Sequence, residues 1–203
     1  MTRTMLDSTS AANIPADAVM VAGYVDGNYA WSDADWARFP NAVKVRIAVK
    51  PTTNDGHVID VEPGNWTDAD SIAWVQMRRA AGVEPTIYCG NAAQGYECSE
   101  LAAIYAASGV AMPQMWLADY DGIANVPPGY IAKQYADGPA YDTSVVADYW
   151  PGVDAAPSSG PDVPDAQSRI ASARALLTPL VGYIPVLAAV DTHLQAAQED
   201  LTS

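Results

Sequence analysis

The sequence predicts an α/β fold: a reduced (β/α) TIM-like barrel with fewer than eight regular units, followed by a C-terminal helical tail. Between residues 18 and 150, short apolar runs alternate with helical patterns, as in a mostly parallel sheet with crossover helices. None of the runs is followed by a glycine-rich phosphate-binding motif, which favours a closed barrel over a nucleotide-binding sheet. Because eight units typically take about 250 residues and this region has about 135, we expect some units to be missing.

Short runs of apolar and β-branched residues, bounded by turn-forming residues, predict the strands of the barrel. These runs cover residues 19–25, 42–49, 57–61, 85–89, 114–120, 130–135 and 141–146. The barrel is therefore expected to span residues 18–152, and residues 1–17 are expected to form an N-terminal arm.

Helical patterns lie between several of these runs. The clearest covers residues 71–81, with Thr67 as a predicted N-cap, acids in the first turn and arginines in the last. A second covers residues 97–107 and stops at a Ser-Gly pair, and a shorter one covers 33–38 and stops before a proline.

Residues 153–165 are rich in Pro, Gly, Ser and Asp and are predicted to be a linker. Residues 166–203 then carry apolar side chains at alternating spacings of three and four, typical of a helix that packs on another helix. This seam consists of Ile170, Ala173, Leu177, Leu180, Ile184 and Leu187, and Leu194 and Leu201 continue it. Pro179 and Pro185 predict two helical pieces rather than one. The tail either folds back on the barrel or mediates self-association or binding to another protein of the same particle.

Composition restricts the partners of the chain. Ten Lys and Arg against 24 Asp and Glu give a formal charge of -14, which disfavours nucleic acid and anionic membranes. The uncharged stretch at residues 175–190 is shorter than the ~20 residues of a membrane span, and the first 20 residues contain no signal-peptide pattern. The pairing of Cys89 and Cys98 is left open by their spacing.

No metal or cofactor is expected. The two histidines and two cysteines stand at spacings that form no zinc signature. The acids of Asp119-Tyr120-Asp121-Gly122 lack the rest of a calcium loop, so a solvated turn is the better interpretation.

The run at 57–61 leads into the most informative peptide, in which Asp60 and Glu62 emerge on the same face of a strand. At the C-terminal end of a barrel strand they would face the mouth, where such barrels carry their active sites. Paired carboxylates suit glycoside hydrolysis, in which one is kept protonated to donate to the leaving oxygen. The alternative is a strand end whose acids cap the following helix or face water.

Other side chains at strand ends strengthen the prediction of a site. Asp26 follows the first run and Asp142 lies at the last, so parallel strands would bring both to the same mouth. Aromatic side chains at matching ends could form walls on which sugar rings stack, although ordinary packing is the alternative for each. These aromatic residues are Tyr24, Tyr88, Trp116, Tyr120 and Tyr135.

The motifs GYVDGNYAW, VIDVEPG, PTIYCG, MWLADYDG and AKQYADG with YDTSVV, in that order, resemble the strand motifs of glycoside hydrolase family 25 lysozymes and their relatives in actinobacteria and phages. The resemblance covers about residues 18–152 and implies a β/α barrel that hydrolyses the β-1,4 bond between N-acetylmuramic acid and N-acetylglucosamine in peptidoglycan. It implies that Glu62 is the acid, that Asp60 positions the acetamido group or stabilises positive charge, and that Asp26 and Asp142 flank them. Tyr88, Trp116, Gln134 and Tyr135 match glycan-lining positions.

The sequence departs from the family pattern in two places. Only residues 50–56 separate two predicted strands that a whole helix and strand separate in the family, and this is too short for a regular crossover of at least 10 to 12 residues. Either the barrel is incomplete or these two strands pair as a hairpin. In addition, Lys133 stands before Gln134 where the family has tryptophan.

Together these observations predict a peptidoglycan glycan hydrolase, muramidase-like and phage-encoded. Such a protein would be made in the host cytoplasm and then carried on the virion or released at lysis. The alternative is a catalytically silent barrel of the same type that serves as a virion structural or glycan-binding protein, with the tail as its assembly device.

Overall fold

The computed structural model of the chain describes residues 2–61, 67–91, 97–155, 170–174, 192–197 and 199. Two compact units divide the chain, residues 1–155 and 156–203. The first unit contains a closed barrel of eight strands with a small number of helices around it. Glu62 lies outside the described residues, so its predicted role stays a prediction.

The eight strands follow one another around the barrel in chain order. They are β1 Arg3–Asp7, β2 Met20–Tyr24, β3 Val43–Ala48, β4 Val58–Asp60, β5 Thr86–Gly90, β6 Gln114–Ala118, β7 Ala132–Ala136 and β8 Asp142–Val146. Neighbours from β1 to β7 pair in parallel. Strand β8 is antiparallel to both β7 and β1 and closes the barrel between them. The carboxyl ends of the first seven strands therefore meet the amino end of β8 at one mouth.

Strand β1 corrects the prediction of an N-terminal arm. Residues Arg3–Asp7 pair along their whole length with β8, and Leu6 and Asp7 also pair with β2. Its five residues, RTMLD, include only Met5 and Leu6 as apolar side chains, and of the five only Met5 is fully buried. An apolar run of two residues is too short to predict a strand. Residues 3–7 form one because they pair with β8 and β2 in the barrel.

The short connection between β3 and β4 forms neither of the two predicted arrangements. The strands pair in parallel, not as a hairpin, and the barrel is complete. The pairing register shows why a short connection is sufficient. Val58, the first residue of β4, lies beside Ile47 near the end of β3, so the chain runs back along only a small part of β3. Because β4 starts beside the end of β3, this connection is shorter than the crossover of a dozen or more residues that parallel strands usually need.

Side chains hold this connection, residues 49–57, in place of a helix. Arg78 donates to the carbonyl oxygens of Asn54 and Gly56 at 2.9 and 3.0 Å. Arg46 pairs with Asp55 and lies over the Trp36 ring, 5.1 Å from its centre. These contacts satisfy backbone groups that a longer crossover would place in a helix.

Three helices lie outside the barrel: α1 Asp33–Ala37, α2 Asp68–Ala80 and α3 Cys98–Ser108. Helices α1 and α2 each begin with a capping box, formed by Ser32 with Asp35 and by Thr67 with Asp70. Helix α3 ends at Gly109, whose φ of 71° is the left-handed conformation that favours glycine. The predicted ends of the helices around 71–81 and 97–107 are confirmed to within a few residues.

Aromatic side chains fill the barrel from one end towards the other. Trp150, which follows β8, donates from Nε1 to Thr86 Oγ1 at the start of β5, at 2.8 Å. Its ring meets that of Trp116 edge to face at 6.0 Å, and Trp116 meets Tyr88 in the same way at 4.9 Å. A cavity lined by Tyr88 and Trp116 lies at the mouth where the parallel strands end.

In the second unit, residues 170–174 and 192–197 are helical. Ile170, Ala173 and Leu194 of the predicted seam are half-buried there. The remaining seam residues and both prolines lie outside the described residues, so self-association of the tail stays a prediction. Across the part of the chain that the structure describes, no helix is both long and apolar enough to span a bilayer.

Cys89 at the end of β5 and Cys98 at the start of α3 form a disulfide, which the sequence left undecided. Their Cα atoms are 5.3 Å apart and nine positions separate them in the chain. Both cysteines are buried, so the bond ties α3 to the barrel at the residue that follows Tyr88.

Replacing both cysteines by alanine should lower the free energy of unfolding by about 2 to 3 kcal/mol, because the open chain regains the entropy that closure of a short loop removes. Urea unfolding of the oxidised protein and of the variant measures the difference. Addition of a reductant should lower the stability of the wild type and leave that of the variant unchanged. Equal stability of both proteins without reductant would contradict the pairing.

Candidate active site at the mouth of the barrel

Three carboxyl groups meet at the mouth. Asp7 ends β1, Asp60 ends β4 and Asp142 begins the antiparallel strand β8. They line one cavity of about 110 Å³ together with Tyr24, Ile47, Tyr88, Trp116, Tyr120 and Gln134. The closed barrel brings these side chains together although they lie as far apart in the chain as residues 7 and 142.

Gln134 on β7 connects the polar groups of this cavity. Its side chain is almost fully buried, and Nε2 donates to Asp7 Oδ2 at 2.9 Å and to Asp142 Oδ2 at 3.1 Å. Its Oε1 accepts from the hydroxyl groups of Tyr88 and Tyr120. One amide therefore uses both of its hydrogens and its carbonyl oxygen to fix two acids and two phenols.

Burial and the neighbouring acids raise the pKa of Asp7 to about 8. Loss of solvent is the largest cause, followed by repulsion from Asp142, while the Gln134 hydrogen bond acts in the opposite direction and Asp60 adds further repulsion. Asp7 Oδ1 is buried and has no hydrogen-bond partner among the described residues. A neutral Asp7 carries a proton at pH 7.

Three other titratable groups of the cavity also shift towards their neutral forms. Burial raises the pKa of Asp142, which a hydrogen bond from the Gly138 amide lowers in part. Burial also raises the pKa of Tyr88 and Tyr120 above the usual range, so both hydroxyl groups stay protonated and donate. Both hydrogens are directed at Gln134 Oε1, so the two phenols hold the amide in place.

The loop that carries Tyr120 is held by a buried cation. Lys133 is almost fully buried, and its Nζ lies 2.7 Å from Asp121 Oδ2 and 3.5 Å from Asp119 Oδ2. Asn91 donates to Asp119 at 2.8 Å. The two acids that the sequence placed in a solvated turn thus anchor the rim of the cavity through Lys133.

Seven of the residues predicted for the site line this cavity: Asp60, Asp142, Tyr24, Tyr88, Trp116, Tyr120 and Gln134. Tyr135 does not line it, because successive side chains on β7 point to opposite faces and Gln134 faces inward. The sequence analysis missed Asp7. The available signal was an acid directly after the apolar pair Met5-Leu6, the same arrangement that ends β4 at Asp60.

Asp26 does not reach the cavity either, which corrects its predicted role as a flanking carboxylate. Its carboxylate accepts from the backbone amides of Val49 and Lys50 at 2.7 and 3.1 Å, and from the hydroxyl group of Thr53. Both of its oxygens therefore hold the connection between β3 and β4. The position of Asp26 after strand β2 was predicted correctly, but its side chain points to the loop after β3.

No protein-family model, curated protein or solved structure matches this chain. Within the described residues, no group of three or more His, Cys, Asp and Glu side chains is arranged to hold a metal ion.

Asp7→Asn should stabilise the protein at neutral pH. The folded state holds the Asp7 proton up to about pH 8, whereas the unfolded chain releases it near the ordinary value of 3.8. Between these two values, rising pH therefore favours unfolding by at most about 1.4 kcal/mol per pH unit, and the neutral amide removes this cost. Urea unfolding at pH 4, 6 and 8 should give a difference between variant and wild type that grows with pH.

Asp33→Asn is the control, because Asp33 is exposed on α1 and lines neither the cavity nor its surroundings. Its stability should follow the wild type at all three pH values. Parallel pH profiles for Asp7→Asn and the wild type would show that Asp7 is ionised in the folded protein.

Proposed function

We propose that this protein is a glycoside hydrolase of the family 25 type that cleaves the glycan of peptidoglycan. The observation that carries the proposal is the meeting of the Asp7, Asp60 and Asp142 carboxyl groups in one cavity with aromatic walls, where burial raises the pKa of Asp7. Glycoside hydrolysis needs one carboxyl group that holds a proton and a second one that meets the positive charge developing on the sugar. Repulsion between neighbouring acids is a common way to keep the first one neutral.

The roles follow from these contacts. Asp7 donates its proton to the leaving glycosidic oxygen, and Asp60 stabilises positive charge on the sugar or orients its acetamido group. Gln134 holds Asp7 and Asp142 in position and keeps the Tyr88 hydroxyl directed into the cavity. The rings of Tyr24, Tyr88 and Trp116 provide apolar faces for the sugar. This assignment moves the acid from Glu62, the residue that the family resemblance implies.

Two further parts of the proposal concern the type of barrel and its origin. The seven parallel strands and the helices after β2, β4 and β5 support a (β/α) TIM-like arrangement with several helices absent in the described residues. The strand motifs that resemble phage and actinobacterial lysozymes support a phage-encoded protein, carried on the virion or released at lysis. A catalytically silent glycan-binding barrel is the competing function.

Release of reducing ends from purified peptidoglycan tests the activity. The wild type should release them, and Asp7→Asn and Asp60→Asn should each reduce the rate by about 10² to 10⁴-fold, because each removes a group that acts on the transition state. Asp33→Asn should keep the wild-type rate. Glu62→Gln decides between the two candidate acids: a rate lost in Glu62→Gln but kept in Asp7→Asn would return the acid role to Glu62.

Sedimentation with insoluble peptidoglycan accompanies this assay. Binding without release of reducing ends by the wild type over pH 4 to 9 would overturn the hydrolase and support the silent glycan-binding barrel. Absence of both binding and release would overturn both functions.

The activity should fall on the alkaline side with a midpoint near pH 8. Asp7 must hold its proton to donate it, and its pKa of about 8 sets the pH above which the active form is lost. The pH dependence of kcat/KM on a soluble peptidoglycan fragment measures this midpoint. A profile that is flat from pH 6 to 9.5 would contradict proton donation by Asp7.

A further inference from the structure

A groove of about 550 Å³ adjoins the cavity and shares Tyr24 and Asp60 with it. Its other lining residues are Thr9, Gly27, Asn28, Tyr29, Val49 and Lys50. The cavity of about 110 Å³ is smaller than the roughly 300 Å³ at which ligand pockets usually begin. A ligand larger than a single small group has room to continue from the cavity into this groove.

The groove is built by two loops that are fixed against each other. Gly27 has a φ of 77°, and a Cβ atom at this position would lie 2.5 Å from Val49 Cγ2. Any other residue would be strained in its backbone and would collide with Val49. The close approach of Gly27 brings the loop after β2 against the loop after β3, and the Asp26 carboxylate ties the two loops by accepting from Val49 and Lys50.

One wall of the groove presents aromatic rings. Tyr29 is 58% exposed, and its ring lies 6.3 Å from that of Tyr24 at an angle of 51°. Tyr24 belongs to the wall of the cavity as well, so the two rings form a continuous apolar surface from the cavity into the groove. Such a surface suits a chain of sugar rings that extends beyond the cavity.

Lys50 gives the groove a positive charge. It is exposed, and among the described residues it is the only cationic side chain that lines the cavity or the groove. It takes part in none of the ion pairs formed within the described part of the chain. The hydrogen bond from its backbone amide to Asp26 fixes the backbone at Lys50, so its side chain begins at the wall of the groove.

We propose that the groove binds the part of the glycan next to the reacting sugar and that Lys50 recognises a carboxylate carried by that part, such as the lactyl group of a muramic acid residue. This inference rests on the proposed function and adds the chemical class of the glycan substituent that Lys50 binds, a carboxylate. The acids of the cavity repel an anionic ligand, and a cation beyond them offsets this repulsion at the position of the substituent. A neutral glycan would gain nothing from Lys50.

Two tetrasaccharides that differ only in the lactyl groups provide the test: chitotetraose, which is neutral, and the alternating N-acetylglucosamine and N-acetylmuramic acid tetrasaccharide with free carboxylates. Calorimetric titration of the full chain gives the affinity for each, under conditions in which mass spectrometry detects no cleavage. Lys50→Gln should weaken binding of the acidic tetrasaccharide by about three- to tenfold and leave binding of chitotetraose within about twofold. Lys50→Arg should retain most of the affinity for the acidic ligand.

Arg38→Gln is the matched control, because it removes one exposed positive charge that lines neither the cavity nor the groove. Both affinities should stay as in the wild type. Equal weakening of both ligands by Lys50→Gln, or no weakening of either, would overturn recognition by Lys50 while leaving glycan binding intact. Failure of the wild type to bind either tetrasaccharide would overturn the proposed function and this inference with it.

Discussion

The partial burial of the Asp7 carboxyl group at the mouth of the barrel, with its Oδ1 atom fully buried, is the constraint on which the arrangement of the mouth depends. An ionised carboxylate in such a place costs several kcal/mol, so the group keeps its proton instead. Gln134 donates to Asp7 and Asp142 together, which fixes both acids without adding a positive charge. An arginine at this position would ionise the acids and remove the proton donor.

The same requirement accounts for the neighbours of Gln134. Its carbonyl oxygen faces the hydroxyl groups of Tyr88 and Tyr120, so the amide cannot turn round without setting its donors against theirs. Lys133, the residue beside it on β7, points to the opposite face, where Asp119 and Asp121 neutralise it. A strand of alternating orientation thus keeps the cation away from Asp7 while letting it anchor the Tyr120 loop.

The sequence predicted most of the strands because their apolar runs are long enough to show a pattern, as at 19–25 and 130–135. The sequence did not predict β1, because Met5 is the only fully buried residue of this strand and there is no apolar pattern to detect. The strand is held instead by its pairing with β8. Asp142 was placed correctly although β8 is antiparallel, because its position at the start of that strand faces the same mouth. Asp26 was misplaced because its position after a strand fixes only its backbone. The direction of its carboxylate is fixed by its hydrogen bonds with the loop after β3.

The loop after β3 shows how a departure from regular architecture can create a binding surface. A crossover helix would cover the edge of the barrel, whereas the short connection leaves room beside Tyr24 and Asp60. Such a loop has no helix to satisfy its backbone, so Arg78, Arg46 and Asp26 supply the contacts from neighbouring elements. Asp26 accepts from the backbone amide of Lys50, the cationic residue that lines the groove. The polar contacts that hold the short connection therefore also place Lys50 at the groove.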